Sequence, residues 1–204
     1  MIRKDDVGKS MSFNEYYQLL EQLVKEGKTT GKNQSEALVN YTRLNFSRMK
    51  RIIKTTTVSK EVTSTVECLN DKLIWVVLSE SWCGDAAQNI PVLEKIAKVN
   101  TNITLRILLA DENSEIMDQY LTHGTRSIPK LICFDKNLKE LGTWGPRPKY
   151  LQNWLYQEKT NPTMETGQLK KLFQAWYTKD GGQSLQREMV ILLKSWLNKE
   201  CFSM

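Results

Sequence analysis

The chain has 204 residues, and 40% of them are hydrophobic, so it is able to bury an apolar core without disulfide bonds. Its first ten residues are charged and polar, and no apolar segment follows them, which argues against a signal peptide. No uninterrupted apolar run approaches the roughly 20 residues that a membrane-spanning helix needs. We therefore expect a cytoplasmic protein without a membrane partner.

The net charge of +6 arises in the first part of the chain, because residues 1–60 hold twelve Lys or Arg against six Asp or Glu. A nucleic-acid surface would produce such a cluster, but no binding motif and no interleaved aromatic residues accompany it. We expect a solvated helix face and no nucleic-acid partner. The basic residues chiefly responsible are Arg43, Arg48, Lys50, Arg51 and Lys54.

The cysteine and histidine spacing argues against a metal site. No two of the four cysteines form a C-x-x-C pair, and His123 is the single histidine. Because His123 precedes Gly124, we expect it to end a helix at a glycine cap rather than to act as a catalytic base. The cysteines are Cys68, Cys83, Cys133 and Cys201.

Residues 1–58 predict an N-terminal helical extension. Ser12 to Glu15 form a capping box at the start of one helix, which Gly27 would end. A second helix should begin near Ser35, where apolar residues recur at helical spacing.

Residues 59–159 alternate helix and strand and predict the core of the protein. Continuous apolar strands joined through helices indicate parallel pairing buried on both faces, and a hairpin after them would make the sheet mixed. The predicted elements are a helix from Ser59 to about Cys68, strands at 74–79 and 104–109, helices at about 85–99 and 115–123, and hairpin strands at 131–134 and 140–143.

Residues 160–204 predict a C-terminal helical extension, so that the three segments form one compact unit. One helix should end at Asp180, and Ser184 should cap another that runs to about Asn198. The fold class is therefore α/β, with a mixed central sheet, helices on both faces and helical extensions at both ends. Large side chains expected to face the core are Trp176, Tyr177, Leu192, Leu193 and Trp196.

Two blocks of sequence resemble the thioredoxins. Trp82-Cys83-Gly84 follows a hydrophobic strand, and Pro91 lies eight residues after the cysteine, as in the active-site turn and kinked helix of that family. The segment 124–134 resembles the family's cis-proline loop and its following strand. The resemblance implies a thioredoxin fold in which Cys83 begins a helix and the Ile128–Pro129 bond is cis.

A group of bacterial proteins called simply thioredoxin-family proteins is similar over most of the chain, including the helical extensions. The similarity rests on four segments and brings no established substrate. These segments are Trp82-Cys-Gly-Asp-Ala-Ala-Gln88, Arg126-Ser-Ile-Pro129, Trp144-Gly-Pro-Arg-Pro148 and Trp176-Tyr-Thr-Lys-Asp180.

A cysteine at a helix N-terminus is favoured as a thiolate, because free backbone N–H groups and the positive end of the helix dipole stabilise the charge. We therefore expect the helix start to lower the pKa of Cys83, whereas the negative Asp85 would oppose that effect. A cis bond at Pro129 would expose the backbone of Ile128 to an extended peptide or a small thiol.

Two departures from the thioredoxin pattern remove the resolving step of the reaction. Ala86 stands where the family has its second cysteine, and Val77 stands where it commonly buries an aspartate. A two-cysteine cycle is excluded unless another thiol intervenes. Cys133 should be buried far from the turn and Cys68 packed as a small hydrophobe, which leaves Cys201 as the internal candidate. An external thiol such as glutathione or an analogue is the preferred resolver, and no other cofactor is expected.

Arg126 and Arg147 are the cations expected to border the cleft. A guanidinium there could bind the carboxylate of a thiol tripeptide through two hydrogen bonds. The alternative is a structural salt bridge that fixes the loop before the next helix, where Pro148 suits the first helical position. The sequence leaves both alternatives open.

Three functions follow from these residues. The first is a monothiol thiol–disulfide oxidoreductase with Cys83 as nucleophile and a protein or small thiol or disulfide as partner; the substrate-binding candidates are Trp82, Gly84, Asp85, Arg126, Ile128, Pro129 and Arg147. The second is a non-catalytic interaction or redox-sensing module. The third, a glutathione-transferase-like protein, ranks last because helices flank the core on both sides. The sequence does not indicate an oligomeric state.

Overall fold

The computed structural model describes residues 2–197 of the chain. Its centre is a four-stranded sheet with the strand order β2-β1-β3-β4. The pair β1–β2 is parallel, whereas β1–β3 and β3–β4 are antiparallel, so the mixed sheet is confirmed. The strands are β1 (Leu73–Ser79), β2 (Ile103–Leu109), β3 (Lys130–Asp135) and β4 (Glu140–Trp144).

Helices precede, connect and follow these strands. The described residues form α1 (Lys4–Lys9), α2 (Phe13–Glu26), α3 (Glu36–Thr55), α4 (Lys60–Glu67), α5 (Gly84–Ala97), α6 (Ser114–Met117), α7 (Lys149–Thr160), α8 (Thr166–Asp180) and α9 (Gln183–Leu197). The capping box at the start of α2 is confirmed, because the Ser12 hydroxyl accepts from the Glu15 N–H while the Glu15 carboxylate accepts from the Ser12 N–H. Sequence reasoning missed α1, which is short and polar.

Both faces of the sheet are buried. Successive side chains of β1 point to opposite faces, so Trp75 and Val77 enter one apolar cluster while Val76 and Leu78 enter another. The larger cluster also holds side chains from the N-terminal helices, from α5 and from α9: Tyr16, Leu20, Met49, Ile90, Leu185 and Leu193. The three sequence segments thus contribute to a shared core, and the domain boundaries proposed above stay a prediction.

The prediction of a helix at 115–123 is wrong beyond the first turn. The structure has only Ser114–Met117 in α6, and an isolated bridge then pairs Thr122 with Thr125. Between them, His123 and Gly124 have positive φ angles of 49° and 73°, which a right-handed helix excludes. His123 therefore lies in a tight turn and does not end a helix.

Two further helix starts differ from expectation. Helix α9 begins at Gln183, so Ser184 does not cap it; its N–H and hydroxyl instead donate to the Asp180 carboxylate. Pro148 precedes α7 as its N-cap rather than taking the first helical position. Of the side chains expected to face the core, Tyr177 and Leu193 are buried, whereas Trp176, Leu192 and Trp196 are half-buried.

Within the described residues, the helices are too short or too polar to cross a bilayer.

Candidate functional site

Cys83 lies at the junction between the sheet and α5. The chain leaves β1 at Ser79, makes a turn closed by the Cys83 N–H donating to the Glu80 carbonyl at 3.1 Å, and enters the helix at Gly84. Cys83 is the N-cap residue, and its Sγ accepts from the Ala86 N–H at 3.4 Å. The sulfur thus takes the position that a capping oxygen takes in other helices.

The loop before β3 lies against this sulfur. The Cys83 thiol donates to the Ile128 carbonyl at 3.2 Å, and the Ile128–Pro129 peptide bond is cis. Trp82 is half-buried and packs on the larger apolar cluster, together with Ile128. The fold therefore brings together two sequence blocks that are separated by 45 residues.

The net shift of the Cys83 pKa, which the sequence leaves open between two opposing effects, is upward. Only 8% of Cys83 is exposed, and this burial raises the pKa of its thiol to about 12, with the Asp85 charge adding to the rise. The Ala86 N–H and the charge of Arg147 act in the opposite direction but do not compensate. Loss of hydration outweighs the helix start, so the resting sulfur is a protonated thiol.

Asp85 is the centre of a polar cluster beside Cys83. Two nitrogens of Arg147 donate to its Oδ2, Nη2 at 2.6 Å and Nε at 3.1 Å. The Tyr177 hydroxyl donates to Oδ1 at 2.7 Å and accepts from the Asn89 amide at 3.1 Å. The Asp85 and Arg147 side chains are only 16% and 13% exposed, so water screens this ion pair weakly.

The two arginines expected at the cleft are each paired with a carboxylate. Arg147 forms the salt bridge with Asp85 and also donates to the Gln152 side chain at 2.6 Å. Arg126 binds Asp118 through two hydrogen bonds of 2.6 Å, in a pair whose side chains are more than half exposed. The guanidinium of Arg126 thus binds a residue eight positions before it in the chain.

Two side chains of α8 cover the first turns of α5, and sequence reasoning missed this cover. Its Tyr177 reaches Asp85, and the Gln88 side chain donates to Gln174 at 2.8 Å. Tyr177 was expected only as a core residue, because its hydrophobic ring indicates burial and nothing in the spacing indicates a hydroxyl contact 92 residues away.

Helix α3 also approaches the start of α5, and one residue of its predicted solvated face is not solvated. Four of the five basic residues are exposed, but Arg48 is half-buried. Its Nη1 donates to the Asn45 Oδ1 at 2.9 Å, and the Asn45 amide donates to the Ser81 carbonyl at 3.0 Å. Asn45 therefore joins α3 to the turn that carries Cys83.

Within residues 2–197 no disulfide joins Cys83 to Cys68 or Cys133. Cys133 is fully buried in β3, where burial raises the pKa of its thiol to about 12. Cys68 follows α4 and is half-buried. Cys201, the internal resolver considered above, lies outside the described residues.

Comparison with known proteins agrees with this architecture. A protein of unknown function from Pseudomonas aeruginosa superposes with a TM-score of 0.58 at 16% identity, over 90% of this chain and 98% of that one. An HIV epitope-scaffold superposes with a TM-score of 0.56 at 15% identity, with the same coverage of both chains. At such identities the likeness shows the fold alone. A family model described as Thioredoxin matches residues 31–165, which is well over half of the sequence, and the chain belongs to the thioredoxin family.

Proposed function

We propose that the protein is a monothiol thiol–disulfide oxidoreductase of the cytoplasm, with Cys83 as its nucleophile. The Cys83 thiolate attacks one sulfur of a substrate disulfide, and a new bond forms between Cys83 and that sulfur. The other half leaves as a thiolate and takes up a proton. An external thiolate then attacks the substrate sulfur of the mixed disulfide; a disulfide forms between the external thiol and the bound half, and Cys83 leaves as a thiolate in its reduced state.

The proposal rests on the position of the Cys83 sulfur, which lies between the start of α5 and the carbonyl of Ile128. Sγ of Cys83 accepts from the Ala86 N–H and donates to the Ile128 carbonyl. The first contact stabilises a thiolate, and the second marks where the backbone of a substrate would lie. The hydrogen bond to Ile128 is broken when the thiol loses its proton, which frees that carbonyl for the substrate.

The need for an external thiol follows from the residues around the sulfur. Ala86 lies one turn into α5 and has no thiol, and Val77 is buried in β1 and has no acid. Glutathione or an analogue would serve as the resolver, because it can enter from solvent once the mixed disulfide has formed.

Each of the other proposed site residues has a physical role. Trp82 and Pro129 form the apolar walls beside the sulfur, Gly84 leaves space at the helix start, and the Asp85–Arg147 pair sets the charge near the thiol. Arg126 is left out of the proposal, because Asp118 already occupies its guanidinium.

Burial of Cys83 favours a second candidate, a non-catalytic interaction or redox-sensing module. A thiol that is 8% exposed and has a pKa near 12 reacts slowly at neutral pH. In that case the α8 cover and the cleft would bind a partner protein, and Cys83 would respond only to strong or persistent oxidants.

Trapping of mixed disulfides distinguishes the two candidates. Cells expressing the wild-type protein, Cys83→Ser or the matched control Cys133→Ala are alkylated at lysis, and disulfide-linked partners are identified by mass spectrometry. The oxidoreductase predicts partners that are lost in Cys83→Ser and kept in Cys133→Ala. Identical partner profiles for wild type and Cys83→Ser would contradict it and leave the second candidate.

A further inference from the structure

A cavity of about 290 Å³ lies where α3, α5 and the junction between α8 and α9 meet. Its wall includes Arg51 from α3, Gln88 and Asn89 from α5, and Asp180 from the end of α8. Small-molecule sites in proteins begin at roughly 300 Å³, so the volume suits a ligand of few non-hydrogen atoms. The reaction proposed at Cys83 assigns no role to any of these four wall residues.

Two amide oxygens of this wall have no hydrogen-bond donor in the described part of the chain. The Asn89 nitrogen donates to the Asp85 carbonyl and to the Tyr177 hydroxyl. The Gln88 nitrogen donates to Gln174, but neither Oε1 of Gln88 nor Oδ1 of Asn89 accepts a bond. Because Asn89 and Gln88 are only 2% and 5% exposed, the little surface that they keep faces the cavity. Acceptors in such a position favour a molecule that brings N–H groups.

Two opposite charges line the cavity from different helices. Arg51 on α3 is exposed, and within residues 2–197 no Asp or Glu forms an ion pair with it. Asp180 ends α8, and its carboxylate accepts from the N–H and the hydroxyl of Ser184, with Arg187 at 4.0 Å. A molecule with one charge is attracted by one of the two lining charges and repelled by the other, whereas a molecule with both charges is attracted twice.

We infer that this cavity binds an α-amino acid in its zwitterionic form. The ligand carboxylate accepts from the Arg51 guanidinium, and the ligand ammonium donates to Oδ1 of Asn89 and Oε1 of Gln88. The Asp180 charge adds to the attraction of the ammonium group. A simple anion has no N–H group for the two amide oxygens, and a simple cation is repelled by Arg51. The inference is independent of the chemistry proposed at Cys83.

The test compares three molecules that differ only in their charged groups. They are L-norvaline, which has both an ammonium and a carboxylate, pentanoate, which lacks the ammonium, and butylamine, which lacks the carboxylate. Each is titrated into the isotope-labelled full-length protein, and the NMR shifts of the Gly181 and Gly182 amides are followed. Both glycines line the cavity, so the dependence of their shifts on ligand concentration gives the dissociation constant of this site.

Two variants, each with a matched control, assign the ligand groups to the wall residues. Arg51→Gln removes the cation, and Lys54→Gln removes the charge of an exposed residue of α3 that does not line the cavity. Gln88→Met removes the amide oxygen and keeps the length of the side chain. Its control is Gln174→Met, which breaks the same hydrogen bond between Gln88 and Gln174 but leaves the Gln88 oxygen in place.

We expect L-norvaline to bind roughly tenfold more tightly than pentanoate or butylamine. Arg51→Gln should weaken the binding of norvaline and pentanoate without weakening that of butylamine. Gln88→Met should weaken norvaline and butylamine but not pentanoate, and both controls should bind as wild type does. A norvaline dissociation constant that Arg51→Gln leaves unchanged, or that is no lower than that of pentanoate, would overturn the inference. The absence of shifts at Gly181 and Gly182 with all three molecules would do the same.

Discussion

Two carboxylates flank Cys83, and they lie in opposite electrostatic surroundings. Glu80, three residues before the cysteine, is 1% exposed, and burial raises the pKa of its carboxyl although the Asp111 N–H donates to Oε1 at 2.8 Å. No Lys, Arg or His in the described part of the chain forms an ion pair with it. Asp85, two residues after the cysteine, accepts from both Arg147 and Tyr177.

The difference shows that the electrostatic state of a buried carboxylate in this turn depends on whether a cation pairs with it. Burial makes ionisation of Glu80 less favourable and so raises its pKa. Asp85 carries a charge that two donors stabilise, and this charge acts on the neighbouring thiol. The same chemical group is thus buried without an ion-pair partner on one side of Cys83 and held in an ion pair on the other.

Removal of the cation should have the largest effect. Arg147→Gln leaves the Asp85 charge without its main partner in a weakly hydrated site, and we expect a loss of about 3 kcal/mol in the free energy of unfolding. Urea denaturation measures this change. The matched Arg126→Gln breaks an exposed pair and should leave the stability almost unchanged. Equal losses in the two variants would contradict the contrast drawn between Glu80 and Asp85.

The second donor to Asp85 comes from α8 and should contribute less. Tyr177→Phe removes the hydroxyl that donates to the carboxylate while the ring stays buried, and we expect a loss of about 2 kcal/mol. Tyr156→Phe, at an exposed tyrosine of α7, is the control and should be neutral. If Tyr177→Phe is as stable as wild type, the contact between α8 and Asp85 is not energetically important.

Neutralising Asp85 should change the pKa and the reactivity of the Cys83 sulfur. The Asp85 charge raises the Cys83 pKa, second to burial, so Asp85→Asn should lower that pKa from about 12 by about 1. Below the pKa, alkylation of Cys83 by iodoacetamide should then be roughly tenfold faster at a given pH. Peptide mass spectrometry gives the rate for Cys83 alone. Asp118→Asn should leave that rate unchanged, and an unchanged rate in Asp85→Asn would show that the carboxylate does not control the thiol.

Glu80 should give the smallest effect and the opposite sign. Its folded-state pKa is raised, so its contribution to stability is fully present below the unfolded carboxyl pKa of about 4.3 and is lost as the pH rises through the folded value. Glu80→Gln removes that loss, and we expect it to stabilise the protein at pH 7 by about 1 kcal/mol. The gain should disappear near pH 4. A variant that is less stable than wild type at pH 7 would indicate an unrecognised partner of the carboxylate.

The fold and the position of the nucleophile could be predicted because they are encoded locally. The apolar strand 74–79, the Trp82-Cys83-Gly84 turn and Pro91 lie within 18 residues of one another and fix the strand, the helix start and the sulfur between them. The capping box of α2 is local in the same sense. Such signals act through backbone geometry over one or two turns, and the structure follows them.

The surroundings of the sulfur could not be predicted because they depend on residues distant in sequence. Arg147 and Tyr177 reach Asp85 from 62 and 92 residues away, and α8 turns back over α5 only in the folded chain. Arg48 is likewise half-buried on a helix whose charge pattern indicates full hydration. The opposing local effects of the helix start and of Asp85 on the Cys83 pKa could be predicted, but the net direction could not, because burial is a tertiary property and has the largest effect.

Gly145 lies where the loop before α7 meets the loop that contains Pro129. Because it has no side chain, the two loops can approach each other closely. Its φ is 113°, and a Cβ added there would overlap the Pro129 carbonyl oxygen. That oxygen is a backbone atom and cannot rotate away as the end of a side chain could. Even alanine would have to push the loop that carries Arg147 away from the loop that contacts Cys83. A library with all twenty amino acids at position 145 should therefore return glycine alone, because any side chain would force these two loops apart.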